Sequence, residues 1–337
     1  MAQADRLVSE GSYRSAIQLL EENGEYDNTE LVQRLIDLRV AAFGQLAWPQ
    51  PDIEWPPAHD HRFDGIDGFP EVDAADLDVE VLKSGILGRG GLIVRGMMDE
   101  ETQAAMRSNI DRTLQARMDA AENDSMESVS PWYYRCDSVK GGPAQFRGGQ
   151  RYTNIGSVWS VDSPPTAFQL IRFFRRAGVP DLLRQYFQED PVLSVRKWVV
   201  RCAAPNNGAS SGWHQDGRFL GDPSIRSANL WITLTDCGGD ADAPGLELLP
   251  GHERKIFETG TRGAPFDWTV GPELVDELAQ TTPVHCPRFN AGDAIFFDHF
   301  NLHRTGFGVD HTQNRYALES WFFAASHAPM KQQPVVL

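Results

Sequence analysis

The residues best suited to chemistry are a histidine and a carboxylate two positions apart. Residues 212–217 place His214 and Asp216 at the end of a strand-like run. Side chains two apart on an extended backbone point to the same side, so both can reach one ion. Two histidines and one carboxylate form the facial triad of non-haem iron(II) oxygenases. The tripeptide alone is weak evidence, because a histidine and an aspartate meet at this spacing in many proteins by chance.

A third ligand and an anion-binding group stand near the C-terminus. Residues 292–306 lead from a glycine-aspartate pair into a strand that contains His303, and Arg315 follows twelve residues later. If the two lie on adjacent strands, the guanidinium is brought beside the metal. Arginine grips a carboxylate through two parallel charge-assisted hydrogen bonds. His299 and His303 would form a zinc-like pair on a helix, but the aromatic residues 296–297 favour a strand. We therefore interpret His299 as a surface or supporting histidine.

Together these blocks resemble the phytanoyl-CoA dioxygenase family of Fe(II)/2-oxoglutarate-dependent oxygenases. His214, Asp216 and His303 match the family's ligands, and Arg315 matches its 2-oxoglutarate arginine. Residues 243–252 resemble a family stretch ending in proline-glycine-serine-histidine, with the serine missing here. The resemblance extends over residues 90–325 and is strongest over 193–323.

The resemblance implies Fe(II), 2-oxoglutarate and O2 as cofactor and cosubstrates. It also places Trp231 and Thr305 as further 2-oxoglutarate contacts. The implied reaction hydroxylates an unactivated C–H bond and releases succinate and CO2. Halogenating relatives lack the carboxylate ligand, so Asp216 disfavours halogenation. Desaturation and ring closure use the same ligands and stay open.

The substrate is less visible in the sequence than the cofactors. Arg218 lies two residues beyond Asp216, and Arg147 and Arg151 lie in a loop-like segment, 122–157, that we predict to be a lid. Each could pair with an anionic group, or could be a solvated or structural arginine. We expect a small or medium organic metabolite, with a carboxylated one as the working hypothesis. A CoA thioester is not supported, because no basic cluster for its phosphates stands out.

The predicted elements agree with a β-rich catalytic half. The strand-like runs are 192–203, 227–236, 246–249, 284–288, 293–298, 302–307 and 314–323. Many short strands with turns between them indicate a sandwich or barrel, whereas a βαβ order would put a helix after each strand. The predicted fold is mainly β with flanking helices (α+β), built on a double-stranded β-helix (jelly-roll) core over about 190–325. Outside the core we predict helices at 74–85, 99–121, 163–177 and 180–188 and a strand at 91–95.

The predicted organisation has three parts. Residues 1–47 form an N-terminal extension of two helices, a possible surface for protein contact or self-association. Residues 48–73 are a proline-rich linker or strap, and 74–330 are the dioxygenase domain. A net charge of −16 disfavours nucleic acid or an anionic membrane as partner. No apolar run approaches the ~20 residues that span a bilayer, and no secretory signal is visible, so we expect a cytoplasmic protein.

Two readings from other classes remain open. One is a non-catalytic jelly-roll binding protein whose helical N-terminus recruits a partner. The other is a cupin-like metalloenzyme that does not use 2-oxoglutarate, for which Arg315 would have no purpose. The cysteines support neither a disulfide scaffold nor a zinc ribbon, because they lie far apart in the chain. They are Cys136, Cys202, Cys237 and Cys286.

Overall fold

A computed structural model describes most of the chain. The described residues are 1–23, 28–122, 130–133, 156–205, 212–222, 224–251, 253–308 and 310–337. They divide into two compact units. Unit 1 comprises Met1–Pro51, Met106–Val200 and Phe322–Leu337, and unit 2 comprises Asp52–Ala105 and Arg201–Trp321. Most of the predicted lid at 122–157 lies outside the described residues.

The helices and strands have the following bounds. The helices are α1 (Ala2–Ser9), α2 (Tyr13–Glu22), α3 (Thr29–Phe43), α4 (Val79–Arg89), α5 (Glu100–Glu122), α6 (Pro164–Arg176), α7 (Val179–Phe187), α8 (Gly217–Leu220) and α9 (Pro272–Ala279). The strands are β1 (Glu71–Asp73), β2 (Leu92–Arg95), β3 (Ser157–Trp159), β4 (Pro191–Ala203), β5 (His214–Gln215), β6 (Ser227–Thr233), β7 (Gly245–Leu249), β8 (Ala294–Phe297), β9 (Leu302–Gly306), β10 (Arg315–Ala324) and β11 (Pro334–Val336). None of the described helices is both long and apolar enough to cross a bilayer.

Unit 1 combines the N-terminal helices with the end of the chain. Asn28 caps α3 by accepting a hydrogen bond from the Leu31 N–H at 3.1 Å. Arg39 of α3 is fully buried, where it pairs with Glu21 at 2.8 Å and donates to the Val336 carbonyl at 2.7 Å. β11, which contains Val336, pairs antiparallel with β4. Buried polar contacts therefore tie the N-terminal helices to the last strand.

Unit 2 holds two sheets packed face to face. One has the strand order β1–β2–β8–β6–β10, and the other has the order β5–β9–β7. Both sheets contribute side chains to one buried cluster: Trp231 and Ile295 come from the first, and Leu246 and Leu248 come from the second. Apolar residues on the inner faces of two sheets form such a core when the sheets stack. The sequence-predicted strands of this half mostly appear within a residue or two.

The structure departs from the predicted elements in four places. Residues 284–288 form no strand. Of these five residues, His285 alone forms a β-bridge, an isolated one to Leu248. The helix predicted from residue 74 begins at Val79, where the Asp78 side chain accepts from the Val81 N–H at 2.8 Å. The end of the predicted linker is a strand, because β1 pairs parallel with β2. The N-terminal extension contains three helices where two were predicted.

Candidate metal centre

Three side chains converge in unit 2 in the way expected for a metal site. His214 on β5 lies directly opposite His303 on β9 in the antiparallel register, with ring centroids 4.4 Å apart. Asp216 follows β5 by one residue and is buried. One potential ligand atom from each residue lies within 4.8 Å of the others. The pairing of two short strands therefore brings together groups that are nearly ninety residues apart in the sequence.

Backbone carbonyls orient both imidazole rings. His214 Nδ1 lies 3.0 Å from the Gly212 carbonyl oxygen, and His303 Nδ1 lies 3.1 Å from that of Asn301. A carbonyl oxygen can only accept, so each Nδ1 carries the proton and each Nε2 is left for the metal. Gly212 has φ +68°, and a Cβ there would lie 2.9 Å from Thr269 Cγ2. This turn therefore requires glycine.

The carboxylate ligand is held by an amide on a neighbouring strand. Asn229 Nδ2 donates a hydrogen bond to Asp216 Oδ2, and both residues are buried. Asn229 lies on β6, two residues before Trp231, so both side chains share one face of that strand. The contact fixes the orientation of the carboxylate through one of its two oxygens.

Between the two ligands, Gln215 points away from the metal and fixes the strand. Its Nε2 donates to the carbonyls of Lys255 at 2.9 Å and Phe300 at 2.6 Å, and its Oε1 accepts from the Phe257 N–H at 2.7 Å. Gln215 is 1% exposed, so these bonds are protected from water. They anchor the ligand strand to two other segments of unit 2.

Arg315 is a fully buried cation that makes no ion pair within the described residues. Its Nη1 donates to the carbonyls of Pro244 at 3.1 Å and Gly245 at 2.9 Å. Within the described residues, no hydrogen-bond partner lies within reach of its Nε or Nη2. Burial, with Arg201 nearby, lowers the pKa of Arg315 to about 10. A buried charge with free donors is costly unless an anion pairs with it.

One other predicted 2-oxoglutarate contact, Trp231, lies beside this guanidinium, and another, Thr305, lies on a neighbouring strand. The Trp231 ring centroid is 5.6 Å from Arg315 Cζ, and its buried indole N–H meets no acceptor in the described chain. Thr305 shares β9 with His303, and the β7 residue opposite it, Leu246, directly follows Gly245. The start of β7 thus brings Arg315 close to the strand that carries a metal ligand. Trp231, Thr305 and Arg315 offer hydrogen-bond donors suited to an acidic ligand.

The donor set fits an iron(II) ion with a dicarboxylate cosubstrate. Two imidazoles and one carboxylate suit non-haem iron(II) and leave half of an octahedral shell open. The partnerless N–H groups of Arg315 are what the far carboxylate of 2-oxoglutarate would require.

The remaining predicted residues have different positions. Arg218 is exposed, and its Nε donates to Thr259 Oγ1 at 3.0 Å. Arg147 and Arg151 lie outside the described residues. The surface interpretation of His299 is wrong, because the residue is 2% exposed and its Nδ1 lies 2.8 Å from Ser227 Oγ.

Sequence reasoning did not identify Asn229 or Gln215 as part of the site. The only available signal was that Asn229 shares a strand face with Trp231. No local pattern marks Gln215, because its partners lie 40 and 85 positions away.

Comparison with known proteins agrees with this geometry. Residues 155–307 match the family model described as Phytanoyl-CoA dioxygenase (PhyH). EctD from S. alaskensis with 2-oxoglutarate and 5-hydroxyectoine is similar in structure, with a TM-score of 0.52 and 15% sequence identity over 80% of this chain and 87% of that chain. EctD from S. alaskensis with bound Fe has a TM-score of 0.50 and 15% identity over 72% and 75% of the two chains. At this identity the likeness is one of fold, and it confirms the predicted double-stranded β-helix core. No curated protein sequence matches the chain.

Proposed function

We propose that this chain, in which residues 155–307 are a phytanoyl-CoA dioxygenase-like domain, hydroxylates an unactivated C–H bond of a small or medium organic metabolite. The match of these residues to the family model supports a 2-oxoglutarate-dependent oxygenase. The observation that carries the proposal is the buried guanidinium of Arg315. Its Nε and Nη2 meet no acceptor in the described residues, and it lies in the same unit as a cluster of two histidines and one aspartate.

Each residue at the centre has a defined task. His214, Asp216 and His303 would hold Fe(II) through Nε2, Oδ1 and Nε2, while the Gly212 and Asn301 carbonyls keep the imidazoles in the correct tautomer. When bound, iron and 2-oxoglutarate supply the oxidising power that removes a hydrogen atom from carbon.

The acidic cosubstrate is bound by the donors around Arg315. Arg315 would pair with the far carboxylate of 2-oxoglutarate through Nε and Nη2, and Thr305 Oγ1 and Trp231 Nε1 would add single hydrogen bonds. Burial excludes water from these contacts, which strengthens them. Overall, substrate, 2-oxoglutarate and O2 give hydroxylated substrate, succinate and CO2, so one oxygen atom enters each organic product.

An acidic group on the substrate is the second part of the proposal. Arg218 is exposed two residues after Asp216, and its Nε donates a hydrogen bond to the Thr259 hydroxyl. The other nitrogens of Arg218 can then pair with a carboxylate at the rim of the site. Arg147 and Arg151 remain candidates for the same role. Contact of another protein with the N-terminal helices likewise stays a prediction.

Anaerobic titration tests the cofactor assignment directly. Fe(II) followed by 2-oxoglutarate should produce a weak visible charge-transfer band in the wild-type protein, and His303→Ala should abolish it. A binding scaffold would give no band, and a metalloenzyme of another kind would form no succinate from 2-oxoglutarate.

A metabolite screen for stimulated 2-oxoglutarate decarboxylation then tests the reaction. The mass of the product separates the outcomes: hydroxylation adds one oxygen atom, whereas desaturation or ring closure removes two hydrogen atoms. If Arg218→Ala turned over every identified substrate as the wild type does, the rim assignment would be wrong.

A further inference from the structure

A chain of aromatic rings runs from the metal ligand His214 to the protein surface. The His214 ring makes edge contacts with Phe219 at 6.3 Å and Trp268 at 5.8 Å between centroids. Phe219 and Trp268 are 5.6 Å apart, and Phe266 stacks on Trp268 at 5.4 Å with only 4° between the planes. We call Phe219, Trp268 and Phe266 the aromatic wall.

This wall borders the accessible side of the metal site. Asp216 and His303 are buried, whereas His214 is only half-buried, as are Phe219 and Trp268. Phe266 is 41% exposed. A molecule that approaches the ion past His214 therefore meets aromatic surface.

The wall is separate from the hydrophobic core beneath it. The nearby core cluster contains Trp213, Phe257 and Val270 but none of the three wall residues. Val270 is tied to the ligand segment by its own hydrogen bond, from its N–H to the Trp213 carbonyl at 2.8 Å. The segment that carries Trp268 is thus positioned without the wall rings. Large aromatic groups left partly exposed beside a reactive centre are typical of a ligand-binding surface.

Two exposed charges of opposite sign flank the wall in the sequence. Arg218 directly precedes Phe219, and Asp267 lies between Phe266 and Trp268. Charge alone therefore does not select the ligand, and the aromatic surface is the feature that distinguishes ligands of equal charge. An acidic group can pair with Arg218 while the apolar part of the ligand lies on the rings.

We propose that the aromatic wall is the substrate-binding surface of this enzyme and that it selects substrates with a flat unsaturated ring. The inference rests on the proposed function, because it assigns the substrate class of the same site. Trp268 and Phe219 contact the ring, and Phe266 supports Trp268 from its far side. A flat ring can approach the faces and edges of these side chains closely, whereas a puckered saturated ring of equal size cannot.

Two probes of equal charge and carbon skeleton test the selection. 2-Naphthoate is flat, and decahydro-2-naphthoate is its saturated, puckered counterpart. Binding of each is measured anaerobically by calorimetry on the protein loaded with Fe(II) and saturating 2-oxoglutarate. With aromatic pairs contributing about 0.5–1.5 kcal/mol each, two contacts predict that the flat probe binds about 5- to 140-fold more tightly.

Variants identify the surface responsible. Trp268→Ala should abolish the preference, Trp268→Phe should retain most of it, and Ile66→Ala, an exposed apolar residue outside the wall, should leave it unchanged. Equal binding of the two probes, no binding of either, or a preference that survives Trp268→Ala would overturn the proposal. Loss of the charge-transfer band on adding naphthoate would also overturn it, because the probe would then be replacing 2-oxoglutarate. If the wild type never forms the band, the proposed function itself has failed.

Discussion

Replacing Arg315 with methionine should separate two effects of this residue: the cost of its buried charge to the stability of the ligand-free protein, and its contribution to 2-oxoglutarate binding. Burial lowers the pKa of Arg315 well below its ordinary value, to about 10. At about 1.4 kcal/mol per pKa unit, keeping this cation protonated in the ligand-free fold costs about 3 kcal/mol. Methionine removes that cost but forfeits the bonds to Pro244 and Gly245, each contributing about 1 kcal/mol. The two effects nearly cancel, so Arg315→Met without ligand should melt close to the wild type.

The variant should differ sharply once 2-oxoglutarate is added. A ligand at a hundred times its Kd stabilises a protein by about 2.7 kcal/mol. With an unfolding entropy of about 2.1 cal/mol/K per residue, this raises the Tm of a 337-residue chain by about 4 °C. Loss of two charge-assisted hydrogen bonds, about 1.5–3 kcal/mol each, weakens binding about a hundredfold or more. The same 2-oxoglutarate concentration should then shift the Tm of the variant by less than about 1 °C.

Anaerobic thermal melts with Fe(II), with and without 2-oxoglutarate, measure both quantities. Arg288→Met is the matched control, since Arg288 pairs with Asp236 and Asp240 at the surface of the same unit. It should keep the full 2-oxoglutarate shift. If Arg315→Met keeps that shift, Arg315 does not bind 2-oxoglutarate. If the variant melts far below the wild type before any ligand is added, the buried charge does not carry the cost worked out above.

Three further predictions follow from the packing around the site. Gln215→Leu should lower the free energy of unfolding by about 3 kcal/mol, because two buried backbone groups and one part-buried carbonyl lose their partner. Urea denaturation measures this, and a loss below about 1 kcal/mol would contradict it. Gly212→Ala should weaken Fe(II) binding about tenfold or more in anaerobic titration by displacing the carbonyl that orients His214. Gly178→Ala, with the same positive φ but open space around it, should bind Fe(II) as the wild type does. Burial raises the pKa of Cys237, so this thiol should resist alkylation at pH 8 until the protein unfolds. The exposed Cys286 should be alkylated before Cys237, and mass mapping of the labelled cysteines measures the order.

The local part of the site was predictable because it depends on short-range geometry. Two ligands on one extended segment need only a spacing of two, and His214 and Asp216 satisfy it wherever the strand lies. His303 and Arg315 were identified through their spacing and the family resemblance. The structure brings these three side chains together and buries Arg315 with donors that meet no acceptor in the described part of the chain. The strands in unit 2 were also predictable, because short strand-like runs with turn residues between them give a local signal.

Errors in the predicted elements have equally local causes. Residues 284–288 look like a strand, yet only one of them finds a bridging partner. The helix at 74–85 was placed too early because the capping effect of Asp78 outweighs the helical composition before it. β11 went unpredicted, since a three-residue strand shows no periodicity of its own and exists by pairing with β4.

By itself the sequence determined which groups are candidates to bind iron and 2-oxoglutarate, because side-chain chemistry and short spacings can be read along the chain. Only the tertiary structure decided what surrounds them: Asn229 on the Asp216 carboxylate, Gln215 as an anchor, and Trp268 and Phe219 beside His214. These contacts join residues from 5 to 85 positions apart. Such contacts depend on strand pairing and sheet packing, which no local pattern encodes.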